Sequence, residues 1–131
     1  MTTWTVTDGS RDVLVATSWR DVEACLTNIL NAGDKSPVLT LAPNDQPHFA
    51  QFGLSNSACF LEFHEDVGAC DTFIAQDETS ESNGIAVFDY VGELSEVDCS
   101  MCISRDTLLA ALHEYVETCS RPKAVSWIEI P

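Results

Sequence analysis

Two sets of residues have the types and spacing that chemistry uses. The first is CSMC at 99–102, the separation that brings two thiolates onto one zinc ion. A structural zinc site needs four ligands, and the chain has no second CxxC and no HxxxH. Cys59, His64 and Cys70 would complete a set only if unrelated parts of the fold met, so no metal and no cofactor is expected. A redox CxxC opens a helix inside a βαβ pattern, whereas this one follows a strand and precedes Ser104. The second set is His48, His64 and His113, which are scattered and belong to no HExxH, GxSxG or HxE…PCxxC pattern. His64, in FHED, has Glu62, Glu65 and Asp66 near it in sequence, and a carboxylate there would orient it as a base for a small hydrolase. The commoner reading is a strand-end histidine in a polar turn. The glycines are isolated turn or cap residues and build no phosphate loop. No catalytic residue is assigned, and the chain is expected not to be an enzyme.

Charge says more. The chain has 131 residues with 21 acids against 6 Lys and Arg, a formal net charge of −15. From Ser36 to Ser104 no Lys or Arg occurs, while twelve acids do. Acidity of this size bears on partners and solubility rather than on fold. With no basic stripe, direct binding to nucleic acid or to an anionic membrane surface is excluded. A contiguous negative face instead suits a basic protein cleft, and clefts of that kind belong to proteins acting on DNA or RNA. The carboxylates expected to meet such a partner are Asp71, Asp77, Glu78, Glu81, Asp89, Glu93 and Glu96. A purely solubilising acidic surface is the bland alternative.

No segment reaches the ~18 apolar residues of a membrane span, and MTTWTVTDGSRD lacks the basic and apolar parts of a signal peptide. The cytoplasm is the expected location, with the six cysteines as reduced thiols, several at apolar positions.

The elements that must position these residues follow from periodicity. Thr3–Thr7 and Asp12–Thr17 alternate about DGS and predict a hairpin. Ser18 caps a helix whose apolar stripe is Trp19, Val22, Cys25, Leu26, Ile29 and Leu30, ending at Asn31-Ala32-Gly33. Six short strands are expected at Val38–Leu41, His48–Gly53, Ala58–Phe63, Thr72–Ala75, Ile85–Tyr90 and Glu93–Val97. A second helix follows Ser104, with Leu108, Leu109, Leu112, Tyr115, Val116 and Cys119 as its apolar face and Pro122 as its end. Val125–Ile130 supply a closing strand, with Trp127 as a packing residue. The order ββα, six strands, αβ predicts one α+β domain over residues 1–131. Its two layers are a mostly antiparallel or mixed sheet and two amphipathic helices.

The run from Val87 to Ile130 resembles one family of immunity proteins from bacterial polymorphic toxin systems. The resemblance is carried by the aromatic strand with Phe88 and Tyr90, the turn at Gly92 with Glu96 after it, the helix ending near Arg121-Pro122, and the strand with Val125 and Trp127. The N-terminal hairpin and helix and the central strands match in order. Cys119-Ser120 stands where members often have a Gly, and CSMC is extra. The resemblance implies a cytoplasmic antitoxin that binds a cognate toxin domain with a basic cleft in a 1:1 heterodimer. Many toxins paired with this family look like nucleic-acid deaminases, with a basic strand channel and a zinc site for an extruded base. An inhibitor of a nuclease toxin, or an acidic regulatory or scaffold module for another basic protein, are the alternatives.

Overall fold

The computed structural model describes residues 2–33, 36–65, 72–76 and 84–130. Among the described residues, seven strands make the continuous run of an eight-stranded antiparallel sheet: β1 (Trp4–Thr7), β2 (Asp12–Ala16), β3 (Val38–Pro43), β4 (Phe49–Gly53), β5 (Ala58–His64), β6 (Thr72–Gln76) and β10 (Ser126–Ile130). Their spatial order is β10-β6-β5-β4-β3-β1-β2. The first hairpin is closed by Asp8, whose Oδ1 accepts from the Ser10 N–H, the Ser10 hydroxyl and the Arg11 N–H. The helix α1 (Trp19–Ala32) carries the chain across, so that β3 pairs with β1, and β3 to β6 then run as a meander.

Alternation divides the sheet into two faces. Trp4, Val6, Leu39, Leu41, Ala50, Phe52, Cys59, Leu61, Phe63 and Ala75 are buried on one, beneath α1 and the second helix, α2 (Arg105–Thr118). Helix α1 buries Trp19, Val22 and Leu26 there, and α2 buries Leu108, Ala111, Leu112 and Tyr115. Ala111 is the addition to the expected stripe; Leu109, Val116 and Cys119 pack at its margin. Tyr115 is the hub. Its ring meets Trp4 edge-on at 4.8 Å and Phe63 at 5.3 Å, and its hydroxyl bonds His48 Nδ1 at 2.7 Å. Aromatic pairs of this geometry add about 0.5–1.5 kcal/mol beyond the area they bury.

The caps expected from sequence are in place: the side chain of Ser18 accepts from the Asp21 N–H and that of Ser104 from the Thr107 N–H. The second helix does not wait for Pro122. It stops at Thr118, where Cys119 takes the left-handed conformation (φ 53°) and its N–H bonds the Tyr115 carbonyl. Pro122 follows three residues later, and the Glu114 carboxylate accepts from the N–H groups of Lys123 and Ala124, fixing the turn into β10.

Two of the expected strands leave the sheet. β7 (Ile85–Tyr90) and β8 (Glu93–Asp98) pair with each other as a separate hairpin on the sheet face that the helices do not cover, tied to the rest by one isolated parallel bridge between Asp89 and Pro37. Phe88, 1% exposed, pins it there, its ring edge-on to Phe60 at 4.9 Å. Both rings press on Gly53, where a Cβ would come within 2.5 Å of each, so only glycine allows the contact. The Asp89 N–H donates to the Ser36 carbonyl, and Tyr90 and Val91 lie over Gly9 of the first turn. At the hairpin's base, the 3₁₀ turn Cys99–Met101 leads into β9 (Ile103–Ser104), which pairs with Ala58 and Cys59 of β5.

Candidate interaction surface

The register of the β7–β8 hairpin sorts its side chains. Phe88 opposes Ser95, Tyr90 opposes Glu93 and Ala86 opposes Val97 on one side. On the other, Ile85 opposes Asp98, Val87 opposes Glu96 and Leu94 opposes Asp89. That second side therefore sets three apolar residues across from three carboxylates. Ile85, Val87 and Leu94 are 62%, 48% and 73% exposed, and with Tyr90 and Val91 they supply five of the nine large apolar residues exposed among the described residues. Single exposed apolar residues are ordinary, but a group of them edged by charge is the composition of a protein contact.

The tip is a tight turn in which Val91 (φ 51°) and Gly92 (φ 88°) both take the left-handed region. Gly92 does so freely, whereas a β-branched residue there is strained by about 1–3 kcal/mol. The turn is held by the Gly92 N–H donating to Asp89 Oδ1 at 2.7 Å, so Asp89 has a structural task besides its charge. Asp98 likewise accepts from the Ser100 N–H at 2.9 Å. Hydrogen bonds from the Ser100 backbone and side chain hold its carboxyl below the usual carboxylate range, keeping it ionised.

Between the hairpin and the uncovered sheet face lies a groove of about 520 Å³. The sheet contributes Val38, Gln51, Phe60, Glu62 and Ile74, and the hairpin and its base contribute Tyr90, Ser95, Glu96, Val97, Asp98 and Met101. No Lys, Arg or His is among these residues.

Of the seven acids expected to meet a partner, Asp89, Glu93 and Glu96 are therefore brought together on one hairpin. Asp71, Asp77, Glu78 and Glu81 lie outside the described residues. Sequence reasoning missed Glu62 as a neighbour of this group, while Asp98 ends the acidic span from which the group was drawn. It also missed the apolar companions Ile85, Val87 and Leu94, whose alternation reads as that of a half-buried strand.

The motif residues at the C-terminal end serve the scaffold. The guanidinium of Arg121 lies 4.0 Å over the Phe73 ring and 3.7 Å from Glu65, Pro122 is buried, and the Trp127 Nε1–H donates to the Pro122 carbonyl at 2.7 Å. Trp127 packs at the margin of the core, as expected of a sheet residue.

The three histidines sit in separate surroundings, and of the other candidates Asp66 and Cys70 lie outside the described residues. His113 stacks on Trp19 and bonds Glu117. His64 stacks on Phe49, with Nδ1 3.3 Å from the Thr72 hydroxyl and Nε2 3.6 Å from Glu62. Among the described residues no group of three or more His, Cys, Asp or Glu could hold a metal ion. The five described cysteines are free thiols. Cys102 lies close enough to Cys99 and Cys59 to feel both, a buried thiol cluster where β9 meets β5. No described helix is long and apolar enough to cross a membrane.

No curated protein matches the chain. The family description "Immunity protein Imm1" matches residues 10–129, which takes in both helices, the hairpin with its acidic and apolar edges, and the Arg121-Pro122 to Trp127 junction. The chain belongs to the Imm1 immunity protein family.

Proposed function

We propose that this protein is a cytoplasmic antitoxin that binds a cognate toxin domain, a nucleic-acid deaminase, and closes its basic substrate cleft in a 1:1 complex. The observation that carries this reading is the β7–β8 hairpin, which sets Ile85, Val87 and Leu94 directly across from Asp98, Glu96 and Asp89. The apolar residues supply the desolvated centre that dominates interface energy, and the carboxylates steer and orient the approach. Asp71, Asp77, Glu78, Glu81 and Glu93 extend the same negative charge in sequence. A deaminase must hold a strand by its phosphates while an extruded base enters the zinc pocket, so a carboxylate-rimmed protrusion competes for the groups that bind phosphate. Nothing in this mechanism asks the antitoxin for chemistry of its own, and it needs no cofactor.

The test is co-expression with the toxin domain encoded by the neighbouring reading frame. The parent chain restores growth and abolishes base deamination of single-stranded substrate by the purified toxin. Replacing Asp71, Asp77, Glu78, Glu81, Asp89, Glu93 and Glu96 with Asn or Gln, with the fold intact by circular dichroism, abolishes protection. Full protection by that variant would falsify the acidic-face mechanism. A neighbouring toxin that cuts phosphodiester bonds would replace the deaminase by a nuclease.

A further inference from the structure

The β7–β8 hairpin has two outer edges, and they are not equivalent. Bonded and non-bonded pairs alternate along an antiparallel ladder. Just beyond Ile85–Asp98, the Cys99 N–H donates to the Gly84 carbonyl at 2.9 Å, so that pair is a bonded one. By alternation Ala86–Val97, Phe88–Ser95 and Tyr90–Glu93 are bonded pairs too. The residues between them, Ile85, Val87 and Asp89 on β7 and Leu94, Glu96 and Asp98 on β8, turn their main-chain groups outward. Asp89 agrees with this parity, since its N–H leaves the hairpin for the Ser36 carbonyl at 2.7 Å. That contact and the bridge to Pro37 cover part of the β7 edge. The β8 edge has no neighbouring strand. At its C-terminal end the Asp98 carbonyl accepts the Cys102 thiol, but the outward N–H and C=O groups of Leu94 and Glu96 have no partner among the described residues.

An open edge is a template for another strand, and charged side chains restrict what can pair there. Leu94, Glu96 and Asp98 share the side of β8 opposite to Ser95 and Val97, and all three are exposed. We propose that β8 takes an extended segment of the toxin as a third, antiparallel strand, with one cation beside Asp98, a second beside Glu96 and an apolar residue beside Leu94. From its N-terminus such a segment reads basic, any, basic, any, apolar, because neighbours on one face recur at every second residue. Leu94 and Glu96 each give an N–H bond to it and receive one back. The main chain supplies affinity in this mode and the alternate side chains supply selectivity. A second copy of this chain is a poor occupant, since it would bring its own Glu93, Glu96 and Asp98 to the edge and set one net charge of −15 against another. The partner's identity rests on the antitoxin reading, while the open edge belongs to the free chain.

Amide hydrogen exchange followed by NMR reads this pairing residue by residue. In the free chain Ser95 and Val97 exchange slowly and Leu94 and Glu96 fast. In the complex with the toxin domain of the neighbouring reading frame, Leu94 and Glu96 slow by about tenfold or more. Unchanged exchange at these two amides overturns the third strand. Glu96→Pro and Glu96→Gln lose the same charge, but only the first also loses the outward N–H, and an edge strand tolerates proline where that N–H is not used in the ladder. Glu96→Pro therefore binds the toxin about tenfold more weakly than Glu96→Gln, and equal affinities overturn strand addition. Should Glu96→Pro lose the protection of Ser95 and Val97, the hairpin itself is damaged and exchange in the parent complex decides. The free chain is also titrated with the capped peptide TRTKTVT and with the same peptide N-methylated at its Arg, Lys and Val nitrogens. Only the unmethylated peptide protects Leu94 and Glu96, and equal responses to the two overturn the proposal. A chain that neutralises its toxin while Leu94 and Glu96 still exchange fast loses the third strand and keeps the antitoxin reading. A chain that pairs with the peptide but does not neutralise the toxin does the reverse.

Discussion

Cys59 and Cys102 show how far a residue's chemistry is set by where the fold puts it. CSMC has a spacing used for metal and redox work, yet the structure turns it into a 3₁₀ turn whose end cysteines are buried. Cys59 gives its thiol hydrogen to the Ser55 carbonyl, and Cys102 gives its own to the Asp98 carbonyl. Burial, foremost, pushes each thiol from 9.0 up to about 11. At neutral pH both are therefore protonated and poor nucleophiles, and native protein leaves them unlabelled by a thiol reagent that modifies the unfolded chain at once. The same shift sets a pH dependence. Above pH 9.0 the unfolded chain gives up these protons while the folded chain keeps them until about 11, so the folded state binds more protons in that window. Their contribution is complete below 9.0 and is lost as pH rises through about 11. The urea midpoint of the parent should fall more steeply across this range than that of Cys59→Ala/Cys102→Ala. Parallel curves would remove the assignment, since Cys25, Cys119 and Tyr115, also shifted up by burial, are present in both.

At the scale of elements, the strands and helices follow from local pattern because each period reports which side of an element is apolar. Ser18 and Ser104 were legible as caps, and the first turn as a turn, because those signals lie within three residues of their effect. Pro122 pointed to the right region but not to the end of the helix. There the left-handed Cys119 stops it first, at a residue with no sequence signal for that conformation. β9 was invisible, since two residues carry no period. The detachment of β7 and β8 was also illegible. Their alternation is that of ordinary strands, and what lifts them off the sheet is a tertiary event, Phe88 entering the space that Gly53 leaves beside Phe60. A two-stranded hairpin alone is marginal in water, so this one depends on its pin. Truncating Phe88 to Ala removes about 3–5 kcal/mol of packing, the usual cost for a buried Phe. Hydrogen exchange should then show β7 and β8 losing protection while β4 and β5, packed under the helices, keep theirs. Uniform loss across the molecule would mean that the hairpin and the sheet unfold as one unit.

For the molecule as a whole, the acidic excess and the apolar hairpin should control different halves of binding. A net charge of −15 projects a field well beyond contact range, but salt at physiological strength screens it within about 8 Å. Charge therefore acts during approach, while Ile85, Val87 and Leu94 act only once water has been expelled. Sequence gave warning of the first contribution, since an unbroken acidic span from Ser36 to Ser104 is visible in any reading. It gave none of the second, because exposure of an apolar strand residue depends on which neighbours the fold withholds. The separation can be measured by stopped-flow association and dissociation with the cognate toxin domain. For the parent, the association rate should drop from about 10⁸–10⁹ M⁻¹s⁻¹ at low salt toward about 10⁵–10⁶ at high salt, with dissociation nearly constant. Glu93→Gln/Glu96→Gln should flatten the salt dependence of association. Leu94→Ser should leave association unchanged and speed dissociation by about tenfold or more, since residues at the centre of an interface govern residence time. If Leu94→Ser instead slows association, or the two Glu variants act only on dissociation, then charge and apolar surface are not divided between encounter and residence as the hairpin's register implies.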